Sequence, residues 1–141
     1  MRTNEENVEL ADLLFPDVTD TVDYIFSKYP KRNLPDESMV LRFAPSPTGF
    51  MHIGNVYTGL ICTRLAKQSN GISILRIEDT DKEREVEKGV SMIVNGLRGF
   101  GVVFDEGMID EEAGVGAYGP YIQSQRLEIY KVFAKQMVLK G

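Results

Sequence analysis

Apolar residues recur along the chain in two rhythms, one helical and one extended. Val22, Ile25, Phe26 and Tyr29 fall at offsets of three, four and seven, the spacing of one helix face, with Thr19 or Thr21 placed to cap it. Pro16 separates that helix from an earlier turn holding Leu10 and Leu14, and Pro30 and Pro35 close a helical leader over 1–37. The run "SMVLRFA", Ser38 to Ala44, is predicted as a strand that ends at a proline. Residues 55–69 read as a helix with Tyr57, Ile61 and Leu65 on one stripe, stopped by Asn70 and Gly71. "ISILRIED", Ile72 to Asp79, reads as a second strand ending in carboxylates. Val86, Val90, Ile93 and Leu97 then step by 4, 3 and 4, which predicts a second amphipathic helix. Thr80 with Glu83 fits a capping box that would start it, and Gly99 and Gly101 end it. "VVF", Val102 to Phe104, is a candidate short strand. The acidic, Gly-rich stretch 105–122 is predicted as a loop. A last helix starts near Ser124, with Leu127, Tyr130, Phe133 and Met137 on one face.

Strand, helix, strand, helix, short strand, helix is the order of an α/β fold with a parallel sheet and crossover helices. Such sheets bind ligands at the carboxyl ends of their strands. The two most unusual segments, "APSPTG" and "EDTD", both lie at predicted carboxyl ends and are expected to face one crevice.

Composition sharpens this picture by exclusion. The chain has 141 residues, about one domain's worth, and 43% are apolar, enough for a core. No apolar run is long enough to span a membrane, and the start "MRTNEENVEL" lacks the pattern of a secretory signal. A single cysteine, Cys62, excludes an intrachain disulfide framework and a Cys-rich zinc site, and is read as a small buried helix residue. A single histidine, His52, excludes a His–His metal site within the chain. These signs point to a cytoplasmic protein. The net charge of −5 is uneven: residues 1–40 carry nine acids and four bases, and the remainder carries twelve of each. The excess negative charge therefore belongs to the leader, whose expected role is to pack on the main domain.

Candidate chemistry concentrates in "PSPTGFMHIGN", Pro45 to Asn55. It is not a P-loop. Gly49 and Gly54 have the spacing, but Asn55 and Val56 stand where a lysine for the phosphates and a hydroxyl for magnesium are needed. "GVGAYG", Gly114 to Gly119, matches a dinucleotide fingerprint only in its letters, because an acidic loop precedes it and Pro120 follows. "HIGN", His52 to Asn55, matches three of four positions of the H-I-G-H signature with which class I aminoacyl-tRNA synthetases handle phosphates. "RFAPSPTGFMHIG" resembles the first motif of glutamyl-tRNA synthetases, "LRIEDTD" (Leu75 to Asp81) their second block, and "YGPYIQSQR" (Tyr118 to Arg126) a third. The resemblance covers about residues 40–130, in order. Two positions depart from it: Asn55 replaces the final histidine, and Tyr57 stands where many relatives have arginine.

The resemblance implies the first half of a Rossmann-like parallel-sheet nucleotide-binding fold over 38–141, with an N-terminal helical extension over 1–37. It implies ligation of L-glutamate to tRNA(Glu) through a glutamyl-adenylate, with ATP as substrate and Mg2+ accompanying it. Arg42 is expected to pair with the side-chain carboxylate of glutamate, Glu78 with its ammonium, and Ala44 and Ser46 to complete that subsite. Pro45, Gly49, His52, Gly54 and Asn55 are expected to meet ATP, with His52, Gly54 and Asn55 at the catalytic step. The prolines would set the backbone, the glycines would admit the nucleotide, and His52 would donate to phosphate beside the helix start. Gln123, Ser124 and Arg126 match the third block without a role. The lysine-rich K-M-S-K-S loop of the family does not occur, so the chain is read as an N-terminal piece, inactive alone, of a monomeric cytoplasmic ligase. Two other readings remain: a paralogue that glutamylates a tRNA base, and a non-catalytic module that binds glutamate or ATP.

Overall fold

In the computed structural model, which describes residues 2–141, the chain forms two compact units. One comprises Met1–Lys31 with Arg126–Gly141, and the other Arg32–Gln125.

The first unit is helical. α1 (Asn4–Leu14) and α2 (Val22–Lys28) come from the leader, and α5 (Leu127–Lys140) closes the chain. The segment expected as a turn around Leu10 and Leu14 is in fact the full helix α1. Its signal is a capping box: Thr3 N–H donates to Glu6 Oε2 at 2.7 Å, and Glu6 N–H donates to Thr3 Oγ1 at 3.2 Å. Thr21, one of the two expected candidates, caps α2 by accepting from Tyr24 N–H at 3.1 Å. Val18, Ile25 and Val132 form this unit's small core, with Phe15, Val22, Tyr29, Ile129 and Phe133 against it. Lys135 ties the pieces together through the Phe15 and Val18 carbonyls, at 3.3 and 3.1 Å, and Asp12 at 2.8 Å.

The second unit is the α/β layer. β1 (Val40–Phe43), β2 (Ile72–Leu75) and β3 (Glu106–Met108) are parallel neighbours, and β4 (Gly114–Val115) adds an antiparallel edge. α3 (Ile53–Gln68) and α4 (Gly89–Gly99) are the crossovers. Two successive right-handed crossovers in one direction put both helices on the same sheet face. The core agrees: Phe43, Leu75 and Ile77 pack with Val56 and Cys62 of α3 and with Val90, Ile93, Val94 and Leu97 of α4. Full burial of a side chain such as Ile77 or Leu97 contributes about 1.5–3 kcal/mol. Cys62 lies in this core, and burial pushes its thiol pKa up.

Three expectations need correction. α4 begins at Gly89, and Thr80 does not cap it. Residues 80–88 are instead held over the proline turn, where Val86 N–H donates to the Pro47 carbonyl at 2.9 Å, and Lys88 takes a left-handed φ of 60° before the helix. "VVF" is not a strand, because Val102 drops into the core and pairing starts four residues later at Glu106. That strand went unseen because "EGM" has no apolar rhythm; Gly107 is there at φ 133° because a Cβ would lie 2.2 Å from the Leu75 carbonyl oxygen. The expected loop 105–122 therefore carries both β3 and β4, and Gly114 of "GVGAYG" lies in β4, with Pro120 and not a helix start directly after that segment.

Candidate active-site cleft

Burial alternates along β1 and β2 and continues past their ends. Phe43, Pro45 and Pro47 are buried with Ser73, Leu75, Ile77 and Asp79, while Arg42, Ala44, Ser46, Ile74, Arg76 and Glu78 are more open. Arg42 pairs in register with Ile74 across the parallel ladder, and Glu78 N–H donates to the Pro45 carbonyl at 3.0 Å. Side chains alternate faces with period two. Arg42, Ala44, Ser46 and Glu78 therefore share the face that carries neither α3 nor α4. The side chains of Arg42, Ser46 and Glu78 make no hydrogen bond or ion pair among the described residues.

The junction expected to meet phosphates is built around a histidine N-cap. His52 precedes α3 in extended conformation, φ −112° and ψ 169°, and its Nδ1 accepts the Gly54 N–H at 3.1 Å. Asn55 answers with its Oδ1, which accepts the His52 N–H at 3.4 Å. Two amide donors of the helix start are thus satisfied reciprocally. An accepting Nδ1 carries no proton, so in the neutral ring the proton sits on Nε2, which is free to donate outward. Gly54 is required by the ring: a Cβ there would lie 2.9 Å from His52 Cε1 and Nδ1. The histidine replaced at Asn55 is explained in the same way, since an amide oxygen serves the reach-back bond.

A cleft of about 390 Å³ opens at this junction, and its walls include Ala44, Pro45, Ser46, Gly49, His52 and Asn55. Six predicted site residues are thereby brought together at the carboxyl end of β1. Arg42 and Glu78 do not line it; they lie on the adjoining sheet face, and Gly54 sits within the first turn of α3. A larger depression of about 710 Å³ lies at the opposite end of the sheet, around Arg64, Lys67, Gly71 and Asp105. The smaller cleft is the better candidate, because parallel sheets present their ligand-binding loops at carboxyl strand ends. Among the described residues no group of three or more His, Cys, Asp or Glu side chains gathers as a metal ion would need.

Two of the residues left without a role, Gln123 and Ser124, clamp the second block in place. Ile77 N–H donates to the Tyr121 carbonyl and Gln123 N–H to the Ile77 carbonyl, both at 2.9 Å, so Ile77 and Ile122 form a parallel bridge. Arg76 Nη2 donates to Gln123 Oε1 at 3.1 Å. Ser124 donates twice to the buried Asp79 carboxylate, from its N–H to Oδ1 at 2.9 Å and from its hydroxyl to Oδ2. Sequence reasoning missed one further set: Arg32 donates to Glu106 through two bonds of 2.5 and 2.8 Å, and Tyr121 Oη donates to Glu106 Oε2 at 2.9 Å. The hydrogen bonds from Arg32, above all, hold the Glu106 carboxyl below its ordinary pKa, and burial raises that of the Tyr121 phenol. No sequence signal could have found this set, since 74 residues separate the ion pair.

A parallel sheet with a strand–proline–glycine–histidine cleft at its carboxyl edge defines a class I synthetase-like nucleotide fold. The chain belongs to the family of class I tRNA synthetases (E and Q), catalytic domain, whose model matches residues 38–141. It is 53% identical over 132 residues to the glutamate–tRNA ligase of Clostridium perfringens (strain 13 / Type A), covering 94% of this chain and 24% of that relative. The glutamate–tRNA ligase of Clostridium beijerinckii is also 53% identical, over 133 residues, with 94% of this chain and 24% of the relative covered. A crystal structure of glutamate–tRNA synthetase from Elizabethkingia anophelis superposes with a TM-score of 0.65 at 42% identity, covering 72% of this chain and 20% of that one. A glutamate tRNA ligase from Elizabethkingia meningosepticum, solved in complex with its amino acid, gives a TM-score of 0.62 at 42% identity, covering 74% of this chain and 20% of that one. The chain thus spans about a quarter of the length of the curated relatives it matches.

Proposed function

We propose that the whole protein carrying this sequence ligates L-glutamate to tRNA(Glu) in two steps. The α-carboxylate of glutamate attacks the α-phosphate of ATP and expels pyrophosphate, giving glutamyl-adenylate; a hydroxyl of the terminal ribose of the tRNA then takes the glutamyl group, and AMP leaves. Neither step needs a strong protein nucleophile, so the protein contributes orientation and charge stabilisation. Arg42 takes the side-chain carboxylate of the amino acid through its planar fork, Glu78 takes the ammonium, and Ala44 and Ser46 line the space between. Pro45, Gly49, Gly54 and Asn55 shape the ATP side, and His52 Nε2–H donates to phosphate as charge develops there. Magnesium travels with the ATP phosphates as part of the substrate. Residues 38–141 supply this half of the site and residues 1–37 are an extension to it. The reading assigns the protein to the cytoplasm, as a monomer; no helix among the described residues is long and apolar enough to cross a membrane.

One observation supports this reading most strongly. A cation and an anion, Arg42 and Glu78, stand unpaired on one open sheet face beside the His52 cleft, complementary to the side-chain carboxylate and the ammonium of glutamate and leaving its α-carboxylate to react. Charging of tRNA with labelled glutamate by the whole protein tests it. The expected result is ATP-dependent charging that disappears when the 3′-terminal adenosine of the tRNA is removed. Labelling that survives that removal would favour transfer to a tRNA base, and absence of ATP-dependent labelling would favour a binding module.

A further inference from the structure

Arg32 precedes the stretch that the family model matches, yet its guanidinium is embedded in the α/β unit. It makes two parallel bonds to Glu106, at 2.5 and 2.8 Å, and lies 3.7 Å above the centroid of the Tyr118 ring. Only 16% of the Arg32 side chain and 12% of the Glu106 side chain are exposed. Glu106 in turn accepts from Tyr121 Oη at 2.9 Å, and Tyr121 Oη accepts the Tyr118 N–H at 3.0 Å. The buried Tyr121 is also the residue whose carbonyl receives Ile77 N–H at 2.9 Å, one position before Glu78. Glu78 N–H then reaches the Pro45 carbonyl at 3.0 Å. A continuous chain of bonds therefore runs from Arg32 through Glu106, Tyr121 and Ile77 to the backbone of Glu78 and the proline turn.

A buried ion pair is weak evidence for stability, because desolvation offsets much of its attraction. A bidentate, stacked guanidinium instead fixes geometry. Tyr121 cannot shift without losing either its bond to Glu106 or its place beside Ile77. We propose that Arg32 is a positioning residue for amino-acid binding: by locking Glu106 and Tyr121, it sets where Glu78 meets the substrate ammonium. The Proposed function supplies the substrate on which this inference rests.

The test uses the whole protein and measures pyrophosphate exchange into ATP, with tRNA present, varying glutamate and ATP separately. Arg32→Ala is expected to raise the KM for glutamate about tenfold while that for ATP stays within about twofold, because the lost bonds are charge-assisted but remote from the phosphates. Arg32→Lys keeps the charge and the fold but not the fork or the stack, so it is expected to recover only part of the loss. Glu106→Gln in the Arg32→Ala background is expected to add little, since both act through Tyr121. Equal shifts in both KM values, or none in either variant, would overturn the positioning role. A wild-type protein with no glutamate-dependent exchange would instead overturn the substrate assignment, and that control separates the two failures.

Discussion

Two polar regions meet in the α/β unit, and they treat their hydrogen-bonding capacity in opposite ways. The strap region closes on itself: Arg32, Glu106 and Tyr121 satisfy one another, and Asp79 takes both donors of Ser124. The cleft region leaves capacity outward. Arg42, Ser46 and Glu78 have no side-chain partner among the described residues, and His52 spends only Nδ1 on the helix cap. Closed polar networks rigidify a fold, whereas convergent open donors and acceptors suit a ligand. The contrast predicts that substitutions in the cleft change rate at constant stability, and substitutions in the strap change stability or substrate binding through position.

The sharpest way to break that division is His52→Asn in the whole protein. Asparagine is a good N-cap, so α3 and the unfolding temperature are expected to be unchanged. The Nε2–H donor is lost, and the exchange rate is expected to fall by roughly a hundredfold or more. A large loss of stability with normal rate in the folded fraction would make His52 a structural cap only. Ser124→Ala probes the other region. It leaves one oxygen of the buried Asp79 carboxylate without its hydroxyl donor, and denaturant titration is expected to show a loss of about 1–3 kcal/mol.

Gly54→Ala tests the contact between helix and ring. The added Cβ falls 2.9 Å from the imidazole and must displace it. The exchange rate is expected to drop about tenfold. Stability should change by less than about 1 kcal/mol, because better helix propensity offsets a weakened cap. The smallest effect concerns pH. The folded-state pKa of Glu106 is lowered, so its contribution to stability is full above the ordinary carboxylate value of 4.5 and is lost as pH falls through the lowered value. Acid unfolding of Glu106→Gln should therefore show a shallower pH dependence in that range than the wild type.

The sequence made legible what depends on local rhythm. The parallel order of β1 and β2, the start of α3 near Gly54 and the crevice at "APSPTG" followed from apolar spacing and punctuation, but no residue of "EDTD", expected at the same crevice, lines it. The start of α4 did not, because Val86 gives its N–H to Pro47, a tertiary bond that no helical pattern reveals. β3 was hidden because three residues with a central glycine carry no alternation; its place is set by close approach to Leu75. Within the candidate site, the place of His52 at the cleft was legible from its neighbours, but its role as the cap of α3 was not, since that depends on which nitrogen faces Gly54 N–H. Asn55 read as a departure from a motif and proved to be the partner that completes the cap. Arg32 left no trace at all, because its partners are distant in the chain and its own surroundings are an acidic leader.

The most direct measurement is exchange of pyrophosphate into ATP by the whole protein, with tRNA present, comparing L-glutamate with L-glutamine. Glutamine has the same shape without the carboxylate that Arg42 is assigned to bind. Glutamate is expected to be favoured in kcat/KM by at least about thirtyfold, the loss that follows when a charged partner goes unpaired. In Arg42→Gln that preference should collapse while the KM for ATP holds. Equal use of glutamine by the wild type, or a preference for glutamate that survives Arg42→Gln, would contradict the assignment of this face to the amino acid.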